Sequence, residues 1–206
     1  ITRTLYPALV AYRSEPEKQA EAYRLATLLI LAVEAPVAAF LLVNPETSIL
    51  ILGGSEWTIA PTYLRVLALA PLVDPFSRLG GELLKVHHRD FAWIASVGLT
   101  LASFVGFGWL LTGVWGPVGM AWANYLPLGG LVMAAAIYRV APRPFRQLLR
   151  DIAILYAAPV IPFLVAWWLG GDRLWLRFGI SLVALALVFA GYARLFGNAF
   201  RTFLRR

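Results

Sequence analysis

The chain has 206 residues, of which 60% are hydrophobic and only 14% are charged, and it carries a formal net charge of +7. Soluble domains are about half apolar and about a quarter charged. This composition, with a mean hydropathy of +0.73, therefore excludes an ordinary soluble domain and predicts an integral membrane protein. Cysteine is absent, which excludes disulfides, thiol nucleophiles and thiolate metal sites. The chain opens inside an apolar segment without an initiator methionine, and we expect a fragment of a longer protein.

The beginning of the chain predicts the end of one membrane helix, a polar segment and one complete span. Residues 1–12 are largely apolar and predict the end of a helix whose beginning is absent. In the polar segment 13–24, Ser14 is placed to cap a short helix, with Pro16 near its first turn. Residues 25–43 are long and apolar enough to cross the hydrocarbon core, and they form the first complete span.

Five further spans follow, separated by short connections. Asn44 and Pro45 predict the N-terminus of a short interfacial helix that ends at Gly53. The remaining spans are predicted, in chain order, at residues 62–85, 91–111, 118–138, 152–169 and 174–196, with a basic loop at residues 139–150. The predicted fold class is therefore all-α: a polytopic membrane helix bundle with six complete transmembrane helices plus the end of a seventh.

The second span, residues 62–85, is unusual because charges and prolines interrupt it. A charged side chain at the centre of a membrane helix costs roughly 2.5–3.5 kcal/mol, and such residues usually face a bundle interior or a wet cavity. Asp74, Arg78 and Glu82 recur at every fourth position, so they lie close to one helix face. Two interpretations stay open: a self-paired structural cluster, or a polar pathway. The charges and prolines of this span are Arg65, Asp74, Arg78, Glu82, Pro71 and Pro75.

Arg65 and Glu34 complete this set of intramembrane charges. Arg65 lies about 180° around an ideal helix from Asp74, and it joins the same face only if the prolines unwind the helix between them. Glu34 lies in the first span near the depth of Asp74, where the long Arg78 side chain could reach it. Glu34 is either part of the pathway or a buried structural acid, since burial raises the pKa of a carboxyl group.

The basic residues orient the predicted bundle. They precede span one and follow spans two, four and six, whereas the connections on the other side offer only Arg173, with Arg177 a turn into the next helix. The positive-inside rule places the basic connections in the cytoplasm. This alternation explains the basic composition without a nucleic-acid partner. The cytoplasmic basic residues are Arg13, Lys18, Arg24, Lys85, Arg89, Arg139, Arg143, Arg146, Arg150, Arg194, Arg201, Arg205 and Arg206.

Small residues and histidines form the remaining patterns. Gly116, Gly119 and Ala123 share a helix face, as close helix packing requires. The pairs at 80–81 and 129–130 predict packing or flexible points.

His87 and His88 are adjacent in a predicted loop and lack the spacing and the third ligand of a metal site, so we expect them to be solvated or to face lipid headgroups. Neither a Ser-His-Asp set nor a carboxylate pair on an outer loop is present, so we expect no enzyme activity. We also expect no metal and no cofactor.

One sequence pattern resembles a known family. The run LYPALVAYR, a polar segment and an apolar span are followed by ILGGSEWTIAPTYLRVLALAPL and then by WGPVGMAWANYL. This order resembles the second half of bacterial polysaccharide-transporter proteins, which are oligosaccharide-lipid flippases of the multidrug/oligosaccharidyl-lipid/polysaccharide exporter superfamily. The residues that carry the resemblance are Pro7, Gly54, Trp57, Leu64, Arg65, Leu67, Gly116, Gly119, Ala121 and Ala123.

The resemblance covers residues 1–140 and implies how the chain is divided. Residues 1–140 would be part of a second transport lobe, with the end of one helix and four spans. Residues 141–206 would be the extra C-terminal helix pair, with a basic cytoplasmic tail. The partners implied are a lipid-linked oligosaccharide, the membrane lipids and the missing N-terminal lobe of the same protein. The location implied is the bacterial cytoplasmic (inner) membrane, crossed many times.

The mechanism that the resemblance implies is alternating access, in which a polyprenyl-diphosphate-linked sugar passes through a cationic cavity. Arg65 and Arg78 would bind the diphosphate, because arginine presents paired donors to phosphate oxygens. Glu34, Asp74 and Glu82 would couple transport to an ion or hold the arginines in place. Two other classes stay open: a drug or small-molecule antiporter of the same superfamily, and a membrane glycosyltransferase or polymerase.

Overall fold

The computed structural model describes residues 2–70, 76–126 and 128–204. Within these ranges the chain is all-α and contains no strand. The α-helices are α1 (Thr2–Ala11), α2 (Pro16–Val43), α3 (Pro45–Gly53), α4 (Ala60–Ala68), α5 (Ser77–Val86), α6 (Asp90–Trp115), α7 (Pro117–Trp122), α8 (Leu128–Val140), α9 (Pro142–Ala157), α10 (Val160–Gly170) and α11 (Leu174–Leu204). A 3₁₀ turn, Ala123–Tyr125, follows α7.

Prolines fix where several of these helices begin. Pro16, Pro45, Pro117 and Pro142 each occupy the first position of a helix, where the missing N–H costs nothing and the fixed φ angle suits the helix. Positive-φ glycines lie at the other ends: Gly54 follows α3, Gly116 separates α6 from α7, and Gly171 follows α10. The predicted short helix at residues 45–53 is therefore confirmed at both of its ends.

Five segments among the described residues are long and apolar enough to cross a membrane, by length and composition. They are Pro16–Val43, Asp90–Trp115, Pro117–Val140, Phe145–Gly170 and Leu174–Gly197. The prediction of six complete spans is correct only in part. The predicted second span, residues 62–85, is described as two short helices, α4 with 9 residues and α5 with 10. Residues 71–75 between them lie outside the described part of the chain.

The structure differs from the sequence prediction at three boundaries. At two of them a polar stretch continues a helix instead of ending it. The polar segment 13–24 does not form a separate helix capped by Ser14; it is the first part of α2, which begins after Glu15 and runs for 28 residues. The predicted basic loop at 139–150 is mostly helical, because Pro142 begins α9. The predicted fifth span, residues 152–169, is divided between α9 and α10 around Pro159.

The core lies around α2, which packs against α9, α11 and α5. Its largest fully buried side chains come from both halves of the sequence and include Leu28, Leu31, Leu79, Leu83, Met133, Ile137, Leu148 and Leu155. Many large apolar side chains elsewhere stay exposed, such as Phe91, Trp109 and Trp168. Outward-facing apolar side chains are what a helix bundle surrounded by lipid requires. The division into 1–140 and 141–206 stays a prediction.

Glycines let several helices approach one another closely. A Cβ atom on Gly129 would lie 1.9 Å from the Ser96 carbonyl oxygen of α6, and one on Gly119 would lie 2.0 Å from the Leu111 carbonyl oxygen. Gly80 faces Met133 and Ile137 in the same way, through side chains. Gly119, Gly80 and Gly129 therefore lie at close approaches, as predicted. The predicted common helix face of Gly116, Gly119 and Ala123 is wrong, because Gly116 separates α6 from α7 with a positive φ and Ala123 begins the 3₁₀ turn.

Candidate functional site

Three charged side chains from distant parts of the chain meet at one end of the bundle. We call them the Glu46 cluster: Glu46, Arg65 and Arg177. Glu46 lies in the first turn of α3, where a carboxylate is favoured by the helix dipole. Its Oε1 accepts a hydrogen bond from Arg65 on α4, and its Oε2 accepts one of 3.0 Å from Nη2 of Arg177 on α11. One carboxylate therefore joins three helices.

The two arginines of the cluster differ sharply in burial. The Arg177 side chain is only 9% exposed, against 53% for Arg65 and 33% for Glu46. Gly170 makes room for Arg177, because a Cβ atom there would lie 2.4 Å from the Arg177 Cβ. Nε of Arg177 is buried and has no hydrogen-bond partner within the described residues. The cluster holds two cations and one anion, so it keeps a net positive charge.

Buried polar side chains accompany the cluster along α3 and α11. Thr47 follows Glu46 directly, and Ser181 lies one turn beyond Arg177; both are fully buried. Within the described residues, their hydroxyl oxygens have no hydrogen-bond partner. Asn44 is also fully buried and donates from Nδ2 to the Phe40 carbonyl at 3.1 Å. This end of the bundle is therefore polar inside, where an apolar interior is the norm.

The predicted site residues of the second span do not all fall in the described region. Asp74 lies outside it, and the Arg78 side chain does too, although its backbone belongs to α5. Arg65 is described, and it pairs with Glu46. Glu82 is half-buried and accepts a 3.3 Å contact from Lys85 Nζ, which also lies 4.6 Å from the Trp93 ring centroid. The predicted common face of Asp74, Arg78 and Glu82 stays a prediction.

Glu34 lies in α2, two residues before Pro36, and is half-buried. This placement agrees with a position inside the first span. The predicted contact of Glu34 with Arg78 involves a side chain outside the described part of the chain, and it stays a prediction.

A second charged cluster, formed by Arg24, Glu21 and Asp151, ties α2 to α9. Arg24 donates from Nε to Asp151 Oδ2 at 2.8 Å and from Nη1 to Glu21 Oε1 at 2.7 Å. Asp151 is buried, and its Oδ2 accepts from both Nε and Nη2 of Arg24. This pair was not anticipated. Its only sequence signal is a lone acid, Asp151, directly after a run of arginines.

His87 has a structural role that differs from the solvated loop predicted for it. Its Nε2 lies 2.7 Å from Oε1 of Gln19, which is itself buried and donates to the Leu9 carbonyl at 2.8 Å. Burial, followed by the charges of Arg13 and Arg89, lowers the pKa of His87 below 6.5. His88 is exposed, as predicted, and its Nε2 lies 2.7 Å from Arg13 Nη2.

A cavity of about 160 Å³ lies where α6 faces the 3₁₀ turn. It is lined by Thr100, Ser103, Phe104, Ala123 and Asn124. Ser103 donates to the Thr100 carbonyl of α6, and Asn124 of the 3₁₀ turn donates to the Ala121 carbonyl of α7. Across the described residues, no group of three or more histidine and acidic side chains is placed to hold a metal ion.

Comparisons with known proteins add no family. No protein-family model, curated protein or solved structure matches this chain. Among the residues that sequence analysis did not select, Glu46 and Arg177 stand out, because opposite charges at the ends of two apolar helices are a recognisable sign of pairing.

Proposed function

We propose that this chain belongs to a membrane transporter that flips a polyprenyl-diphosphate-linked oligosaccharide across the bacterial cytoplasmic membrane for surface polysaccharide synthesis. The proposal agrees with the five membrane-crossing segments and with the resemblance of the segments around Gly54, Arg65 and Gly119 to flippases. In this proposal the protein has no catalytic residue and moves its substrate by alternating access.

The observation that carries the proposal is the Glu46 cluster. Two arginines share one carboxylate at one end of the bundle. The cluster has one more cation than anion, and charged side chains at membrane-spanning segments are candidates for functional sites. A diphosphate carries the complementary charge, and arginine binds phosphate oxygens through paired donors. Arg65, the more exposed arginine, would exchange its carboxylate partner for the substrate's phosphate.

The same cluster links substrate binding to a movement of α4. Arg65 is the group that joins α4 to Glu46 on α3 in this cluster, while Arg177 joins α3 to α11. Binding of a diphosphate by Arg65 would weaken the first link and leave the second intact. A ligand that binds one arrangement of charges better than another shifts the equilibrium toward it. Export would then couple substrate arrival to separation of α4 from α3.

The proposal is tested by Arg65 substitutions in the protein as cells make it. Arg65→Gln should lower transport of a fluorescent polyprenyl-diphosphate sugar in proteoliposomes by about tenfold or more, because a charge-assisted phosphate contact is worth roughly 1.5–3 kcal/mol. Arg65→Lys should keep part of the activity, since it keeps the charge but loses the paired donors.

Arg173→Gln is the matched control, because Arg173 is exposed at the start of α11 and is not one of the three cluster residues. It should transport normally. All variants should reach the wild-type protein level, since an exposed ion pair such as Arg65–Glu46 contributes only about 0–1 kcal/mol to stability. Normal transport by Arg65→Gln would refute substrate contact and leave the cluster a structural role.

A further inference from the structure

A second charged surface lies where α8 ends and α9 begins, which is where one predicted span ends and the next begins. We call it the α8–α9 surface: Tyr138, Arg139, Arg146, Leu149 and Arg150, with Leu131 two turns earlier on α8. Arg139 is in the last turn of α8, and Arg146 is in the early turns of α9. Arg139 and Arg146 lie at the facing ends of two candidate spans, Pro117–Val140 and Phe145–Gly170, so we expect them near the boundary between membrane and water.

Among the described residues, no acid forms an ion pair with Arg139 or Arg146 of this surface. Arg139 and Arg146 are exposed, and the Arg150 side chain is 73% exposed. Asp151 is the single acid among residues 139–157. It is buried and already accepts two donors from Arg24, so its 3.6 Å contact with Arg150 adds little. The exposed arginines therefore present a net positive charge to whatever lies at the membrane surface.

The geometry of the surface favours a phosphate group at one place in particular. Arg146 Nη2 donates to the Tyr138 hydroxyl at 3.4 Å, and the Tyr138 ring packs edge-on against Phe145 with centroids 5.7 Å apart. Phe145 in turn stacks on Phe76 at 5.1 Å. These contacts hold the Tyr138 hydroxyl and the Arg146 guanidinium together at the surface, as two donors toward one anion.

Exposed apolar side chains continue from these donors. Leu149 is 45% exposed, and Leu131 is 70% exposed two turns before Tyr138 on the same helix. The surface thus combines a cationic end with an apolar flank. An anionic membrane lipid has the matching shape and charge, with a phosphate head and acyl chains. A free phosphate would bind the cationic end and leave the apolar flank uncovered.

We propose that the α8–α9 surface is a binding site for an anionic phospholipid, with its phosphate at the Arg146 guanidinium and the Tyr138 hydroxyl and its acyl chains along Leu131 and Leu149. Arg139, at the end of α8, adds positive charge beside this site. Each basic side chain near a membrane surface contributes roughly a few-fold to tenfold in binding of anionic lipid. Arg150 adds to the field at the rim. The proposal concerns a lipid held at the side of the bundle and does not depend on the transported substrate.

The test measures binding of a fluorescent phosphatidylglycerol to the detergent-purified protein by anisotropy, beside a phosphatidylcholine with the same chains and label. The wild type should bind phosphatidylglycerol at least tenfold more tightly. The double variant Arg139→Gln with Arg146→Gln should weaken that binding by about 30-fold, at roughly 1 kcal/mol per charge. Arg139→Lys with Arg146→Lys should keep most of it, because charge supplies most of the affinity.

The matched control is Lys18→Gln with Arg89→Gln, which removes the same charge from two other exposed positions. It should leave binding within about twofold of the wild type. An equal loss in this control would overturn the proposal in favour of a diffuse field. Equal binding of the two lipids by the wild type would also overturn it, and this comparison holds even if the glutamine variant fails to fold. Displacement of the lipid by millimolar glycerol phosphate would identify a site for free phosphate.

Discussion

At the scale of single residues, the Glu46 cluster is defined by unequal burial. Arg177 is almost enclosed, while Glu46 and Arg65 retain contact with the surroundings. The pairing of a buried charge compensates for the large cost of removing it from water, and loss of the partner leaves that cost uncompensated. The two ends of the Glu46–Arg177 pair should therefore respond very differently to substitution.

We predict that Glu46→Gln destabilises the protein more than Arg177→Met does. Glu46→Gln leaves the buried Arg177 without its carboxylate and should cost about 2–3 kcal/mol, below the value for a fully buried pair because Glu46 is partly exposed. Arg177→Met removes the buried charge and fills similar space with an apolar chain, while Glu46 keeps Arg65. It should cost under about 1 kcal/mol.

The thermal unfolding midpoint in detergent measures both variants side by side. The double variant, Glu46→Gln with Arg177→Met, should have the same stability as Arg177→Met alone, since the buried cation that makes Glu46→Gln costly is then gone. A larger loss for Arg177→Met than for Glu46→Gln would show that the arginine's packing, and not its charge pairing, stabilises this end of the bundle.

At the scale of helices, close approach of α6 and α8 depends on glycine. Without water to drive apolar contact, membrane helices associate by packing and by hydrogen bonds between them. Gly129 supplies both: its missing side chain lets the backbones approach, and its carbonyl accepts a 2.7 Å hydrogen bond from Ser96 Oγ. The atoms that a Cβ would meet include backbone atoms of Ser96 and Thr100, which have no rotamer to change.

We predict that Gly129→Ala forces α6 and α8 apart and destabilises the protein by about 1–3 kcal/mol, the usual cost of overpacking. Gly98→Ala, in the middle of α6, is the matched control, because nothing lies within 4 Å of a Cβ atom there. That change should be neutral or stabilising by up to about 1 kcal/mol, since alanine favours the helix. Urea or thermal unfolding of the two variants in one detergent measures the contrast; equal effects would contradict it.

At the scale of the whole molecule, charge asymmetry predicts an orientation. Basic residues flank the breaks after α5 and α8, whereas few cations flank the breaks after α3, α6 and α10. Lysine and arginine are retained on the cytoplasmic side during insertion. The Glu46 cluster would then lie toward the outside, and the α8–α9 surface toward the cytoplasm.

We predict that Ser55 is outside and that His88 is cytoplasmic. Ser55 and His88 are both exposed, and the chain has no cysteine of its own. Single cysteines at the two positions should therefore react with an impermeant thiol reagent in opposite ways: Ser55→Cys in intact cells, and His88→Cys only after the cells are opened. Labelling of both positions in intact cells would refute this orientation. Equal labelling of the two in opened cells is the control for access.

The sequence alone determined the all-α class and most of the segments that are long and apolar enough to cross a membrane, because hydropathy is a property of neighbouring residues. It also determined both ends of α3, since Pro45 and Gly53 act locally on the backbone, although the Asn44 side chain makes no capping hydrogen bond. The predicted helix boundaries were wrong at the starts of α2 and α9, where polar stretches are helical. A helix tolerates charge wherever its other face is buried, and that face is invisible without the neighbouring helices.

Only the tertiary structure decided which charges meet. Glu46 lies 19 residues from Arg65 and 131 from Arg177, and Arg24 lies 127 from Asp151. The chain contains 18 lysines and arginines against 11 acids, so sign alone cannot select partners over such separations. The selection comes from helix packing: α11 brings Arg177 beside α3, and α9 brings Asp151 beside α2. Once buried there, each charge needs a partner that only the neighbouring helix can provide.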